Sequence, residues 1–145
     1  MSGIRAHSLL FPHGLLLPHK PLSNVELEEA AEALGIPHFR GVFMRDALPP
    51  NPNPIECGIL NHDDYDGSGT HWTCWHKRRG LKVYFDSYGL PPPDEMVDYL
   101  RRYPEIRYNT DELQPRGDVV CGHFCLHVLK LLSEGWSFED VIFGL

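Results

Sequence analysis

Thr70-His71-Trp72-Thr73-Cys74-Trp75, then Leu81-Lys82-Val83-Tyr84-Phe85-Asp86, with Lys77-Arg78-Arg79-Gly80 between them, is the stretch that decides the fold. Both runs are rich in aromatic and β-branched residues, and a glycine-containing break joins them, so the pair predicts a β-hairpin. Gly89 and Pro91–Pro93 end it. Upstream, Cys57-Gly58-Ile59-Leu60-Asn61 and the run from Phe39 to Met44 are further strand candidates. Asp46 to Pro54 carries Pro49, Pro50, Pro52 and Pro54 and reads as a loop, and Asp63 to Gly69 is a turn-rich break.

The helices flank this centre. Ser23-Asn24-Val25-Glu26 is a capping box, in which Ser23 accepts from the N3 amide and Glu26 reaches back. Leu27, Ala30, Ala31 and Leu34 follow at helical spacing, and Gly35 and Pro37 stop the run, which predicts a helix over 24–34. Asp94 to Arg102 and Val119 to Ser133 are two more helices, and Ser137-Phe138-Glu139-Asp140 opens a short last one. Glu105 to Asn109 is a fifth strand. The order helix, strands, helix, strand, helix is that of an α+β fold. Residues 1–21, with Pro12, Pro18, Pro21, His7, His13 and His19, fit no period. They read as an N-terminal arm or extension ahead of a domain over 22–145.

The chain has 145 residues, the size of one domain. Its net charge of −7 argues against a dedicated nucleic-acid binder, which usually shows a basic footprint. No apolar run approaches the ~20 residues that span a bilayer. The first eighteen residues resemble a signal peptide only superficially, because Pro12, His13 and Gly14 interrupt the apolar core and no small-x-small site follows. Cys57, Cys74, Cys121 and Cys125 are too few for a disulfide scaffold, so reduced thiols in an intracellular setting are expected.

Cys121, in Val120-Cys121-Gly122-His123-Phe124-Cys125, stands at the mouth of a predicted helix. A helix N-terminus offers free amides and partial positive charge, which favour a thiolate and can receive an oxyanion. Gly122 would leave room for a substrate to approach the backbone. The plain alternative is a buried structural thiol. His71 and Asp86 sit near the ends of the two hairpin strands, where antiparallel pairing lets them face each other. A carboxylate in an apolar run costs several kcal/mol unless paired, so the two together carry more than a turn cap and a lone imidazole would. Gln114, seven positions before Cys121, could aim an amide at the same point as the Cys121 N–H, as an oxyanion hole requires. Alone it reads as a solvated loop residue. A zinc site is the rival use of Cys121, His123, Cys125 and His127, but the two i, i+4 pairs project from different faces of one helix. One ion could not collect all four, and Cys57 and Cys74 would have to complete a site with one pair.

His71-Trp72, then Asp86, Gln114 and Cys121-Gly122, in that order, resemble the adenovirus-type cysteine endopeptidases (adenain) and, more distantly, the SUMO-specific proteases of the same clan. The resemblance extends over about residues 22–145. It includes the opening helix, Leu34-Gly35 through Arg40-Gly41, Glu56 to Asn61, Tyr84 to Gly89 and Cys121 to Cys125. It implies a papain-like fold, with a central, mostly antiparallel sheet flanked by helices. It also implies a role for each matched residue: Cys121 as nucleophile, His71 as general base and acid, Asp86 orienting His71, Gln114 in the oxyanion hole. Trp72 looks like the substrate-side Trp that narrows the channel around a small residue such as Gly, with Gly122 beside it.

The implied task is cleavage of viral precursor proteins during virion maturation, in the virion and the host nucleus, with protein substrates and no membrane. A ubiquitin- or SUMO-like isopeptidase, a clan-related acyltransferase and an inactive protease-fold binding module are the alternatives. Tyr103 to Leu113 lacks the cysteine through which the adenovirus enzymes bind an activating peptide, which argues against disulfide-linked activation. The −7 charge argues against DNA as a cofactor, because phosphate contacts need Lys and Arg. No metal or resident cofactor is expected, an activating peptide bound without a disulfide stays as an alternative, and the chain is expected to be a monomer.

Overall fold

In a computed structural model, residues 8–10, 16–62, 71–113 and 119–145 are described. The capping box sets the first helix: Ser23 Oγ accepts from the Glu26 N–H at 3.1 Å, and Glu26 Oε1 accepts from the Ser23 N–H at 2.9 Å. The helix, α1, runs Asn24–Leu34 and buries Leu27, Ala30, Ala31 and Leu34. It ends at Gly35, whose φ of 68° is a left-handed conformation that glycine adopts without a Cβ penalty. Two short antiparallel strands precede it, β1 (Ser8–Leu10) and β2 (Leu16–Pro18). They lie within the arm, to which the sequence pattern assigned no element.

Five strands form the central sheet in the order β3 (Phe39–Met44), β4 (Glu56–Asn61), β5 (Trp72–Arg78), β6 (Leu81–Phe85) and β7 (Arg107–Tyr108). The expected hairpin is β5–β6, closed by Arg79-Gly80, with Gly80 at φ 75°. The two inner pairings, β4–β5 and β5–β6, are antiparallel. The edge pairings, β3–β4 and β6–β7, are parallel. Three helices follow or interrupt the sheet: α2 (Asp94–Leu100), α3 (Cys121–Ser133) and α4 (Phe138–Phe143). The architecture is α+β, a five-stranded sheet with four helices.

Both faces of the sheet are covered, which is why β4 and β5 are buried along most of their length. On one face Cys57, Ile59, Cys74, Val83 and Phe85 join one apolar cluster with α1 and α3. On the other, Leu60, Trp75 and Tyr84 pack with Met96, Tyr99 and Leu100 of α2. The Trp75 indole closes on β4 at Gly58, where any Cβ would come 2.4 Å from the ring. Below it is Glu56, a carboxylate 1% exposed that accepts from Arg40 Nη1 (2.8 Å), the Asn53 N–H (2.7 Å), Trp75 Nε1–H (2.8 Å) and Tyr99 O–H (2.6 Å). A buried charge needs such satisfaction. Among the described residues no helix is long and apolar enough to cross a membrane.

Candidate active site

His71 stands one residue before β5 and Asp86 one residue after β6. Cys74 lies opposite Phe85 in the ladder, so these two strand ends meet. His71 Nε2 donates to Asp86 Oδ1 at 2.6 Å, with both side chains buried. That contact leaves Nδ1 as the free ring nitrogen; it has no hydrogen-bond partner among the described residues. Burial alone disfavours the imidazolium. The hydrogen bond to Asp86, the Cys121 sulfur and the negative charge of both outweigh burial, and the His71 pKa is pushed up to about 9.

Cys121 is the first residue of α3, which packs against β5. Its Sγ accepts the Trp72 backbone N–H at 3.4 Å. The helix begins without a side-chain cap, so the first amides of α3 have no intrahelical acceptor. All four cysteines are free thiols and buried. They differ in setting. Burial pushes the Cys57 thiol up to about 12 and raises that of Cys125 well above the ordinary range. Cys74 Sγ faces the Cys125 carbonyl at 3.9 Å. Only Cys121 lies beside the His71–Asp86 pair at a helix N-terminus. Among the described residues no group of three or more His, Cys, Asp or Glu is placed to hold a metal ion.

The geometry is that of a thiol, an imidazole and a carboxylate in sequence, the constellation by which a cysteine can be activated as a nucleophile. No protein-family model matches the chain. No curated protein matches it either. Among solved structures, the chain is similar to the ASFV pS273R protease, known from a selenomethionine crystal structure, with 23% identity and a TM-score of 0.48. The alignment covers 63% of this chain and 39% of that one, so the chain spans about two fifths of that protease.

Gln114 lies outside the described residues. Trp72 and Gly122 are placed, and they touch each other. Trp72 is buried and its Nε1–H donates to the Leu22 carbonyl at 3.0 Å. A Cβ on Gly122 would lie 3.0 Å from Leu27 Cδ2 and 3.3 Å from Trp72 Cδ1. The direction a side chain would take from Gly122 is therefore occupied by Leu27 and Trp72. The end of the arm docks at the same place: His123 Nε2–H donates to the Pro18 carbonyl at 2.7 Å, and Leu22 is buried.

Two residues at the site had no signal in isolation. Asn109 holds Asp86 by its backbone, accepting from the Asp86 N–H (3.1 Å) and donating to its carbonyl (2.6 Å). Tyr88 stacks on His71, with ring centroids 3.9 Å apart and planes 5° from parallel. Both depend on the turn Asp86–Gly89, closed by Gly89 N–H to the Asp86 carbonyl at 2.8 Å. Gly89 has φ 79°, and a Cβ there would sit 2.6 Å from the Thr110 carbonyl oxygen. The one cue available was Asp86-Ser87-Tyr88-Gly89, a turn signal straight after a candidate catalytic carboxylate.

Proposed function

We propose that this chain is a papain-like cysteine endopeptidase of the adenovirus type that cleaves viral precursor proteins during particle maturation. The observation that supports this most is the buried 2.6 Å contact of His71 Nε2 with Asp86 Oδ1, next to a cysteine at the head of α3. In this reading His71 is the counterion of a Cys121 thiolate. The sulfur attacks the scissile carbonyl carbon, and the C–N bond breaks as the imidazolium gives its proton to the leaving amine. Neutral His71 then takes a proton from water, whose oxygen displaces the thiolate from the thioester. Asp86 keeps the ring oriented and supports its charge, as the third member does in other triads. The Cys121 N–H and Gln114 would hold the oxyanion, a donor type worth ~2.7–4 kcal/mol where one has been removed. Trp72 and Gly122 would border the residue before the scissile bond. Nucleophile, acid and orienting group are all side chains of this chain, so the proposal needs no metal or prosthetic group.

The test has two arms. In iodoacetamide labelling followed by mass spectrometry, Cys121 reacts at least ~10-fold faster than Cys57, Cys74 and Cys125 at neutral pH, and His71→Gln removes the difference. Equal labelling of all four would sink the nucleophile assignment. In hydrolysis assays, peptides with Gly before the cleaved bond are preferred to ubiquitin or SUMO fluorogenic conjugates. Preference for the conjugates by orders of magnitude would replace the maturation reading with the isopeptidase one.

A further inference from the structure

Tyr88 touches both members of the His71–Asp86 pair. Its ring lies over the imidazole at 3.9 Å, nearly parallel. Its backbone N–H donates to Asp86 Oδ1 at 2.8 Å, the same oxygen that receives His71 Nε2 at 2.6 Å. Asp86 Oδ2 has no partner among the described residues, so this one oxygen carries both contacts. The imidazole cannot turn out of the plane of that oxygen without sweeping through the Tyr88 ring. A protonated imidazole against an aromatic face also gains from the ring quadrupole at this separation.

We propose that Tyr88 is a positioning residue: its ring clamps His71 in the plane shared with Asp86 Oδ1 and, as a π-face over a cation, favours the charged imidazole. The proposal rests on the cysteine-protease reading above. Among the described residues, the titratable groups that face His71 are Asp86 at the end of β6, Cys121 on α3 and His62 just after β4. The His62 ring lies edge-on at 6.3 Å. Burial lowers the His62 pKa, so that ring is neutral at neutral pH and does not oppose the charge on His71. A residue that only filled space at 88 would leave the charge state of His71 alone, and that separates the two roles.

The experiment reads the charge on His71 without needing a known substrate. Rates of Cys121 alkylation by iodoacetate and by iodoacetamide are measured from pH 5 to 10, and their ratio is plotted. The anionic reagent is favoured only while the neighbouring imidazole is charged, so the ratio falls as His71 loses its proton. In the wild-type chain the fall is centred near pH 9, the value His71 is pushed to. In Tyr88→Leu it moves down by about half a unit to one unit, from the size of a cation–π contact. Tyr88→Phe keeps the ring and restores the wild-type curve.

Superimposable curves for Tyr88→Leu and wild type overturn the proposal, as does a Tyr88→Phe curve displaced as far as that of Tyr88→Leu. Should Tyr88→Leu fail to fold, Tyr88→Trp decides: its larger face leaves the inflection in place or raises it, and a fall overturns the proposal. A wild-type ratio with no inflection, or one that His71→Gln leaves intact, removes the catalytic reading itself. An inflection present in wild type and unmoved by loss of the ring removes only the role of Tyr88.

Discussion

Asp86 is fully buried, and its Oδ1 accepts from both His71 Nε2 and the Tyr88 N–H. An amide at this position can still accept through its carbonyl oxygen, so Asp86→Asn preserves the shape of the turn. It removes the negative charge that makes the imidazolium worth keeping. On the proposed protease reading, the expected result is a fall of about 10²–10⁴-fold in kcat/KM, in line with the same change in a serine-protease triad, with circular dichroism unchanged. Activity within threefold of wild type would mean that Asp86 only shapes the turn. Cys121 offers a second check at this scale. Cys121→Ser keeps the size and the Trp72 N–H contact but supplies a poor nucleophile, so on the proposed protease reading peptide hydrolysis drops below detection while the fold is retained.

At the scale of elements, Gly58 and Trp75 make the most exacting contact in the sheet. A Cβ at position 58 would meet Cη2 of the indole at 2.4 Å and Cζ2 at 2.7 Å. Trp75 cannot retreat freely, because its Nε1–H is held by Glu56 and its ring packs edge-on to Tyr99 at 5.8 Å. Gly58→Ala therefore costs ~1–3 kcal/mol of stability, the usual range for overpacking. In a Trp75→Phe background the offending atoms are gone, and the same substitution becomes nearly neutral. A double-mutant cycle by urea unfolding measures this coupling; additive effects would show that β4 and Trp75 relax independently.

The elements most legible in the sequence were those fixed by local chemistry. Ser23, Glu26 and Gly35 delimit α1 at Asn24–Leu34, and two aromatic and β-branched runs joined by a glycine-containing break mark β5 and β6. The nearness of His71 and Asp86 was legible from antiparallel pairing, but the ladder ends at Cys74 and Phe85, and their contact also needs the turn that follows β6. Pairings between distant segments were not legible. β7 shrinks to Arg107–Tyr108 and joins β6 in parallel, because the partners that decide it lie more than twenty residues away. Glu56 gave no hint of its burial, since Arg40, Asn53, Trp75 and Tyr99 come to it from four places in the chain. Asn109 read as an ordinary strand residue, and only the docking of 109–113 on the turn, with the Leu113 N–H on the Ser87 carbonyl at 2.7 Å, gives it work.

For the whole molecule, two buried imidazoles pull stability in opposite directions with pH. His76 is buried with neither ring nitrogen partnered among the described residues. Burial, with Arg78 and His38 nearby, pushes its pKa down to about 4. The unfolded chain, with an ordinary value near 6.5, binds more protons than the folded one between pH 4 and 6.5. Stability is lost as pH falls through that window, by on the order of 3 kcal/mol if His76 acts alone. His62 and His127, also lowered by burial, add to the same slope.

His71 has the reverse sign. With its pKa raised to about 9, the folded chain holds the extra proton. Its contribution is whole below pH 6.5 and is lost as pH rises towards 9. The two slopes meet, so urea unfolding free energy should peak near pH 6.5 and decline on both sides. His76→Gln makes the acid limb shallower, leaving the part that His62 and His127 carry, and leaves the alkaline limb unchanged. His71→Gln flattens the alkaline limb, even as absolute stability drops because Asp86 has lost its partner. A stability curve flat from pH 5 to 9 in the wild-type chain would contradict both assignments, and a peak displaced to pH 9 or above would contradict that of His71.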